Sequence, residues 1–546
     1  MLPLCSPARR SGLTDHRSAD RHGHAPALLS GAEIWLDGQQ ITLVTGSDRE
    51  AWRACIAERK TLDAQLEQRL TKPNPRQHIP PIMPSRLPAA PAFWTWPSLA
   101  LCLAVVLVQS LLIWNPGYYS HDELQWAAAA LDRPWHELPW MGLLDWHTFQ
   151  YRPLTFSLWM ALSRWWFVHP YALHAAVVVL GVGNAGLLYG WLRRIGISAD
   201  RARIVGLLWL LNPYAVATHA WVGALADGLW VGFGLIGIVY VQGLANAAAS
   251  SQAGRWQAAG VGFATTLLAL LCKEAALVLP AAYWISWIGL GRRRPTLAAA
   301  LASSIAITLY LSLRLPALLD GAATTSAYAI GTSHLWQHWA EYLIFPALLA
   351  RLHPGALLLD DFTLRHGLAI ALPVALSAML LRQRWQLGAL WLLAPLAALV
   401  PVLPLPTSFS HYAYAASVAA ALVLGLAVTG LGKPGKIVLL LWLLLVSLHG
   451  GQIAHKMQTQ GQIQARLLAD IDALRRRQPE QKLRIAATSP AQQELLRRST
   501  FHIPSYRGSV WGDWVQAVAT GSADANQLMQ PDGHLRALSR PTTDRR

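Results

Sequence analysis

Ser120-His121-Asp122-Glu123 sets two adjacent carboxylates just beyond the first apolar stretch of the chain, and Tyr151-Arg152-Pro153-Leu154 follows after an aromatic loop. In such a pair one carboxylate suits a general base while its neighbour orients an acceptor or holds a cation, and His121, Asp145 and His147 lie close by in sequence. Ser120-x-x-Glu123 is equally a capping box, with Asp122 in the positive first turn of a helix, so spacing alone leaves capping and catalysis both open. Arg152 precedes a proline that opens the apolar stretch 154–167, which joins a fixed cation to the N–H groups of a helix start and suits a phosphate. The plainer alternative is an interfacial arginine snorkelling among Trp159, Trp165 and Trp166. Lys273 and Glu274 fall between two apolar spans joined by almost no loop, where charge is costly and usually functional. Arg314 is expected to end the seventh span on the outer side and His411-Tyr412 to open the tenth, both within reach of a phosphate near the membrane surface. Asp227 reads as a helix cap, and His174, His219 and His449 as packing residues. No His/Asp spacing is diagnostic of a metal, so a divalent cation stays open and no other cofactor is called for.

The elements that must hold these side chains follow from composition. With 53% apolar residues, 26 tryptophans and 14% charged residues in 546, the chain is expected to be an all-α polytopic membrane protein, since a spanning helix needs about 20 apolar residues. Apolar stretches at 96–114, 171–192, 204–219, 227–243, 257–272, 275–290, 296–313, 367–381, 387–405, 412–430 and 437–453 predict about eleven spans. Basic clusters at Arg193-Arg194, Arg201 and Arg203, Arg292-Arg293-Arg294, Arg382 and Arg384, and Lys433 and Lys436 assign one side as cytoplasmic. An odd count then puts the N-terminus in the cytoplasm and the C-terminus in the periplasm. The apolar segment 336–352 reads as a re-entrant or surface helix; if it spans, the count becomes twelve. Residues 1–95 form a polar segment open to two readings, a cytoplasmic tail or untranslated sequence with the start at Met83. Residues 96–455 form the transmembrane domain. Residues 456–546 suggest a small α/β accessory domain, with a helical pattern at 462–477 and a strand-like run at 483–487. Four scattered cysteines offer no disulfide framework, and the formal charge of +16 lies at helix ends and tails, where it sets topology and meets anionic membrane lipids rather than nucleic acid. No Gly-rich nucleotide fingerprint follows a strand in the membrane region.

Taken in order, the acidic pair in the first outer loop, Tyr151-Arg152-Pro153-Leu154, His174–Tyr189 leading to Arg193-Arg194, Asn212-Pro213 with Gly223–Asp227, and Cys272-Lys273-Glu274-Ala275-Ala276-Leu277 resemble the GT-C superfamily of integral-membrane glycosyltransferases. Within it the similarity, over about residues 96–455, is closest to transmembrane O-mannosyltransferase-like proteins that carry tetratricopeptide repeats. The resemblance implies a GT-C-like bundle, a polyprenyl-phosphate sugar donor and a cell-envelope acceptor, with Asp122 or Glu123 as the catalytic carboxylate. Arg152, Lys273, Arg314 and His411 would contact the donor phosphate. His121, His147, Tyr151, Asp227, Glu274 and Tyr412 would serve the acceptor or the framework. Three departures stand out: His411 where relatives often have arginine, Cys272 in place of a serine, and a tail without the tetratricopeptide array. Trp126, Trp135, Trp140 and Trp146 are expected in the interface, at the access path for the prenyl chain. Compact loops and an Ala/Leu/Arg/Trp-rich composition suggest a bacterial inner membrane. A transporter or flippase of a lipid-linked saccharide, or a non-enzymatic assembly factor, would share these features, although the ionisable groups gather on one face rather than at mid-membrane.

Overall fold

The computed structural model describes residues 32–36, 39–43 and 95–538, apart from 141, 144, 149, 248–250, 290, 325–329 and 356–362. The chain divides into two units, Met1–Met83 and Pro84–Arg546. Of the first, the described part is an antiparallel pair, β1 (Ala32–Leu36) and β2 (Gln39–Leu43), with Ile34 opposite Ile41; the alternative start at Met83 lies outside the described residues.

The second unit is mostly helical. Its helices are α1 (Trp96–Ile113), α2 (His121–Asp132), α3 (Pro153–Trp166), α4 (Pro170–Arg194), α5 (Ala199–Leu210), α6 (Pro213–Ala220), α7 (Leu225–Asn246) and α8 (Gln252–Cys272). There follow α9 (Leu279–Gly289), α10 (Arg294–Thr324), α11 (Leu335–Ile344), α12 (Leu364–Gln383), α13 (Trp385–Leu399), α14 (Tyr414–Ala427), α15 (Lys433–Arg477) and α16 (Pro490–Thr500). Among the described residues seven helical segments are long and apolar enough to cross a membrane: α1, α4, α7, α10, α12, α14 taken with the 3-10 turn before it (Ser410–Ala427), and α15. The other four expected spans depart from a single long apolar helix. Asn212-Pro213 splits 204–219 into α5 and α6, because the Asn212 side chain accepts the Tyr214 N–H at 2.9 Å and proline cannot continue the preceding helix. The stretch 275–290 begins as a 3-10 turn before α9. α13 has 15 residues, and α8, although it has 21, opens on Gln252, Arg255 and Gln257. The segment 336–352 holds α11, whose 10 residues are too few to cross.

Packing follows from which faces are apolar. α1 is apolar all round but buries one narrow stripe through Val105, Gln109 and Leu112, leaving Leu103 and Leu107 outward, as only a lipid surroundings would favour. α7 sits deepest, between α4 and α8, with α10 beyond α8. α15 runs 45 residues without a break, packs on α1 and α6, and carries past the expected boundary at 455/456 into the C-terminal part. There β3 (Leu483–Ala487), β4 (Ser505–Tyr506), β5 (Ser509–Val510), β6 (Val515–Ala517), β7 (Gln527–Met529) and β8 (Leu535–Ala537) follow. A four-stranded sheet has the order β6-β3-β7-β8, with β3 parallel to both neighbours and β8 antiparallel. Its core of Leu483, Ile485, Leu496 and Met529 is continuous with Leu467 and Ile471 of α15 and with Tyr118, Leu124, Trp159 and Val222 of the bundle.

Candidate functional site

The acidic segment is built by its own sequence. The Ser120 side chain accepts the Asp122 N–H, and the Glu123 carboxylate accepts the Ser120 N–H at 2.6 Å, so the capping box forms as the spacing predicts. The two acids then part company. Asp122 keeps about a third of its side chain exposed and lies 3.4 Å from the His121 ring. Glu123 is fully buried and turns to the 3-10 turn Val222–Ala224, where it accepts the Gly223 N–H at 3.4 Å. Burial pushes the Glu123 carboxyl up to about 8, against the pull of those backbone N–H groups.

Five separated elements bring the cations together. Arg152 stands at the N-cap of α3 and pairs with Glu274 at 2.9 Å. Lys273, at the end of α8, donates to both Asp227 oxygens at 2.7 Å in a buried pair with α7 and lies 5.1 Å from the centre of the Tyr412 ring. Arg314 does not end a span: α10 runs on through Pro316 to Thr324. Its guanidinium donates to the Trp146 carbonyl and lies 5.1 Å from the Tyr151 ring, and these partners let the helix carry the charge without stopping. His147 lies tilted against Trp146, ring centres 3.7 Å apart, and the Trp146 carbonyl ties this loop to Arg314. Among the described residues these cations face the carboxylates Glu274 and Asp227, and guanidinium and ammonium groups held in this way suit a phosphate oxygen.

The two groups meet through aromatic rings. Trp221 lies edge-on to His411 at 4.7 Å and to Tyr119 at 5.7 Å, and His411 stands 4.4 Å from Tyr412. The Tyr119 hydroxyl bonds the His353 ring, whose other nitrogen is 3.2 Å from the Ser410 hydroxyl. Arg498 of α16, held by Glu494, lies 4.8 Å from the Tyr119 ring. Tyr119, Trp221, His353 and Arg498 were not singled out by sequence reasoning; the signal available was Tyr118-Tyr119 directly before the capping serine and the doublet Arg497-Arg498. Of the tryptophans expected at an interface, Trp135 and Trp146 are exposed, whereas Trp126 packs edge-on against Trp159 at 4.9 Å; the side chain of Trp140 lies outside the described residues. His174, His219 and His449 bond the Gly117 carbonyl, Gln109 with Tyr414, and the Pro346 and Arg351 carbonyls, as packing residues do. Among the described residues no three His, Cys, Asp or Glu side chains converge as a metal site would need, and Cys102 and Cys272 are free thiols. Comparison with protein-family models and with curated proteins gives no match to this chain.

Proposed function

We propose that the chain is a GT-C-type membrane glycosyltransferase that moves a sugar from a polyprenyl-phosphate donor to a cell-envelope acceptor on the periplasmic face of a bacterial inner membrane. The observation that carries this reading is the convergence of Arg152 and Lys273, from two helix ends, with Arg314, from within α10, beside the turn that Glu123 engages. An acceptor oxygen forms a bond to the anomeric carbon as the bond from that carbon to the lipid phosphate breaks, and the polyprenyl phosphate leaves. Asp122, the more accessible acid, takes the acceptor proton. Glu123 acts as a positioning residue that ties the N-terminus of α2 to the 222–224 turn. The cations stabilise charge as it develops on the departing phosphate, and Glu274 and Asp227 hold two of them in orientation.

The break between α5 and α6 is the feature a transporter reading would use, because transporters place ligands at interrupted helices. Release of free polyprenyl phosphate from a panel of polyprenyl-phosphate sugars, with cell-envelope extract as acceptor, separates the two. The transferase reading expects release by the wild type that falls about 10²- to 10⁴-fold in Asp122→Asn with donor binding unchanged. Absence of release from every donor, with equal donor binding in wild type and variant, would favour transport.

A further inference from the structure

A second region lies away from the site, where α5, α14 and α15 leave a cavity of about 110 Å³ lined by Ile204, Leu208, Ala420, Leu424, Trp442 and Leu443. A neighbouring cavity of about 60 Å³ shares Asn212, Ser417, Ala420 and Trp442 with that lining. Apart from Asn212 and Ser417, the lining is apolar until Arg201, which stands at one end. The ion pair in that turn is made by Asp200 with Arg203. Exposed Lys433 and Lys436 begin α15, and Lys436 sits one turn before Leu439, another lining residue, so they reach the same end of the groove. Arg384 joins this collar beside Gly430. From Arg201 to Leu210 α5 rises about 14 Å, close to half of a hydrocarbon core of about 30 Å. The groove therefore has the depth of one leaflet, apolar along its length and basic at its mouth.

We infer that this groove binds one chain of an anionic diacyl phospholipid, with the headgroup phosphate on Arg201. The charge complementarity at the mouth selects an acidic lipid over a zwitterionic one, and the α14 floor of Ala420 and Ala421 makes room for the chain. Full-length protein stripped of lipid in detergent tests this by thermal-shift titration with dioleoyl phosphatidylglycerol and dioleoyl phosphatidylcholine. Both lipids bring the same phosphodiester, so the expected preference for phosphatidylglycerol, about tenfold, comes from the choline ammonium of phosphatidylcholine, which the Arg201 cation repels. Arg201→Gln is expected to erase that preference, and Ala420→Leu to weaken both lipids by filling the groove; Leu443→Trp serves the same purpose if Ala420→Leu does not fold. Equal affinity for the two lipids in the wild type, or a preference that survives Arg201→Gln, overturns the assignment. Displacement of phosphatidylglycerol by equimolar polyprenyl phosphate overturns it too, since the occupant would then be the isoprenoid. The readout is binding, so either result leaves the transferase reading standing or falling on its own assay.

Discussion

At the scale of single residues, burial divides two chemically similar acids. Glu123 carries its proton more tightly in the folded chain than in the unfolded one, its carboxyl moving from 4.5 to about 8. Its contribution to stability is therefore fully present below the ordinary carboxylate range and is lost as pH rises toward about 8. Glu123→Gln is expected to remove that loss, so thermal unfolding of the variant followed between pH 5 and 8.5 should be flatter than that of the wild type. The Lys273–Asp227 pair gives a second prediction. Lys273→Met leaves Asp227 buried without its partner and is expected to destabilise by about 3–5 kcal/mol, whereas Lys273→Met with Asp227→Leu costs much less; chemical denaturation in detergent of both variants checks the difference. A transferase would lose turnover in both. Asp122, Glu123, Arg152, Lys273 and Arg314 were legible in the sequence because charge stands out in apolar surroundings. Their partners were not, since Arg152 finds Glu274 and Lys273 finds Asp227 only once α3, α7 and α8 have packed.

At the scale of elements, periodicity and length located seven long apolar helices, and the exceptions have local causes. Arg314 looked like a terminus because an isolated helix would not bury it; the loop carbonyl of Trp146 supplies what the sequence window lacks. Asn212-Pro213 looked like part of one span although it carries both a cap and a break. α15 passes its neighbours closely at glycine: a Cβ at Gly461 would strike the Asn115 side chain, and Asn115 in turn bonds the Met457 carbonyl at 3.3 Å. Gly461→Ala is expected to push residues 115–120 off α15 and cost about 1–3 kcal/mol. Hydrogen exchange should show the Ser120–Glu123 turn losing protection while α7 and α8 stay unchanged.

At the scale of the whole molecule, the C-terminal portion of α15 and the residue after α16 are bonded to the segment that follows α1. Tyr118 N–H donates to Gln464 at 2.5 Å, and Gln125 donates to the Phe501 carbonyl at 2.9 Å. In a membrane these bonded residues would lie on one side of it, as any odd number of crossings gives. Cysteines placed at Gln125 and at exposed Phe501 are expected to react with a membrane-impermeant reagent from the same side, and labelling from opposite sides would break the arrangement. Composition alone had the C-terminal part as an accessory domain, because no sequence pattern announces that its core merges with Trp159 and Val222.

That merger has a bearing on biosynthesis. A ribosome releases α2 long before it reaches Gln464 and α16, so the wall behind Asp122 and Glu123 waits for residues such as Gln464, 346 positions beyond Tyr118. A chain that has not yet reached α16 would meet the bilayer with those acids still unsupported, so a transferase built this way would become reactive only once α16 has packed.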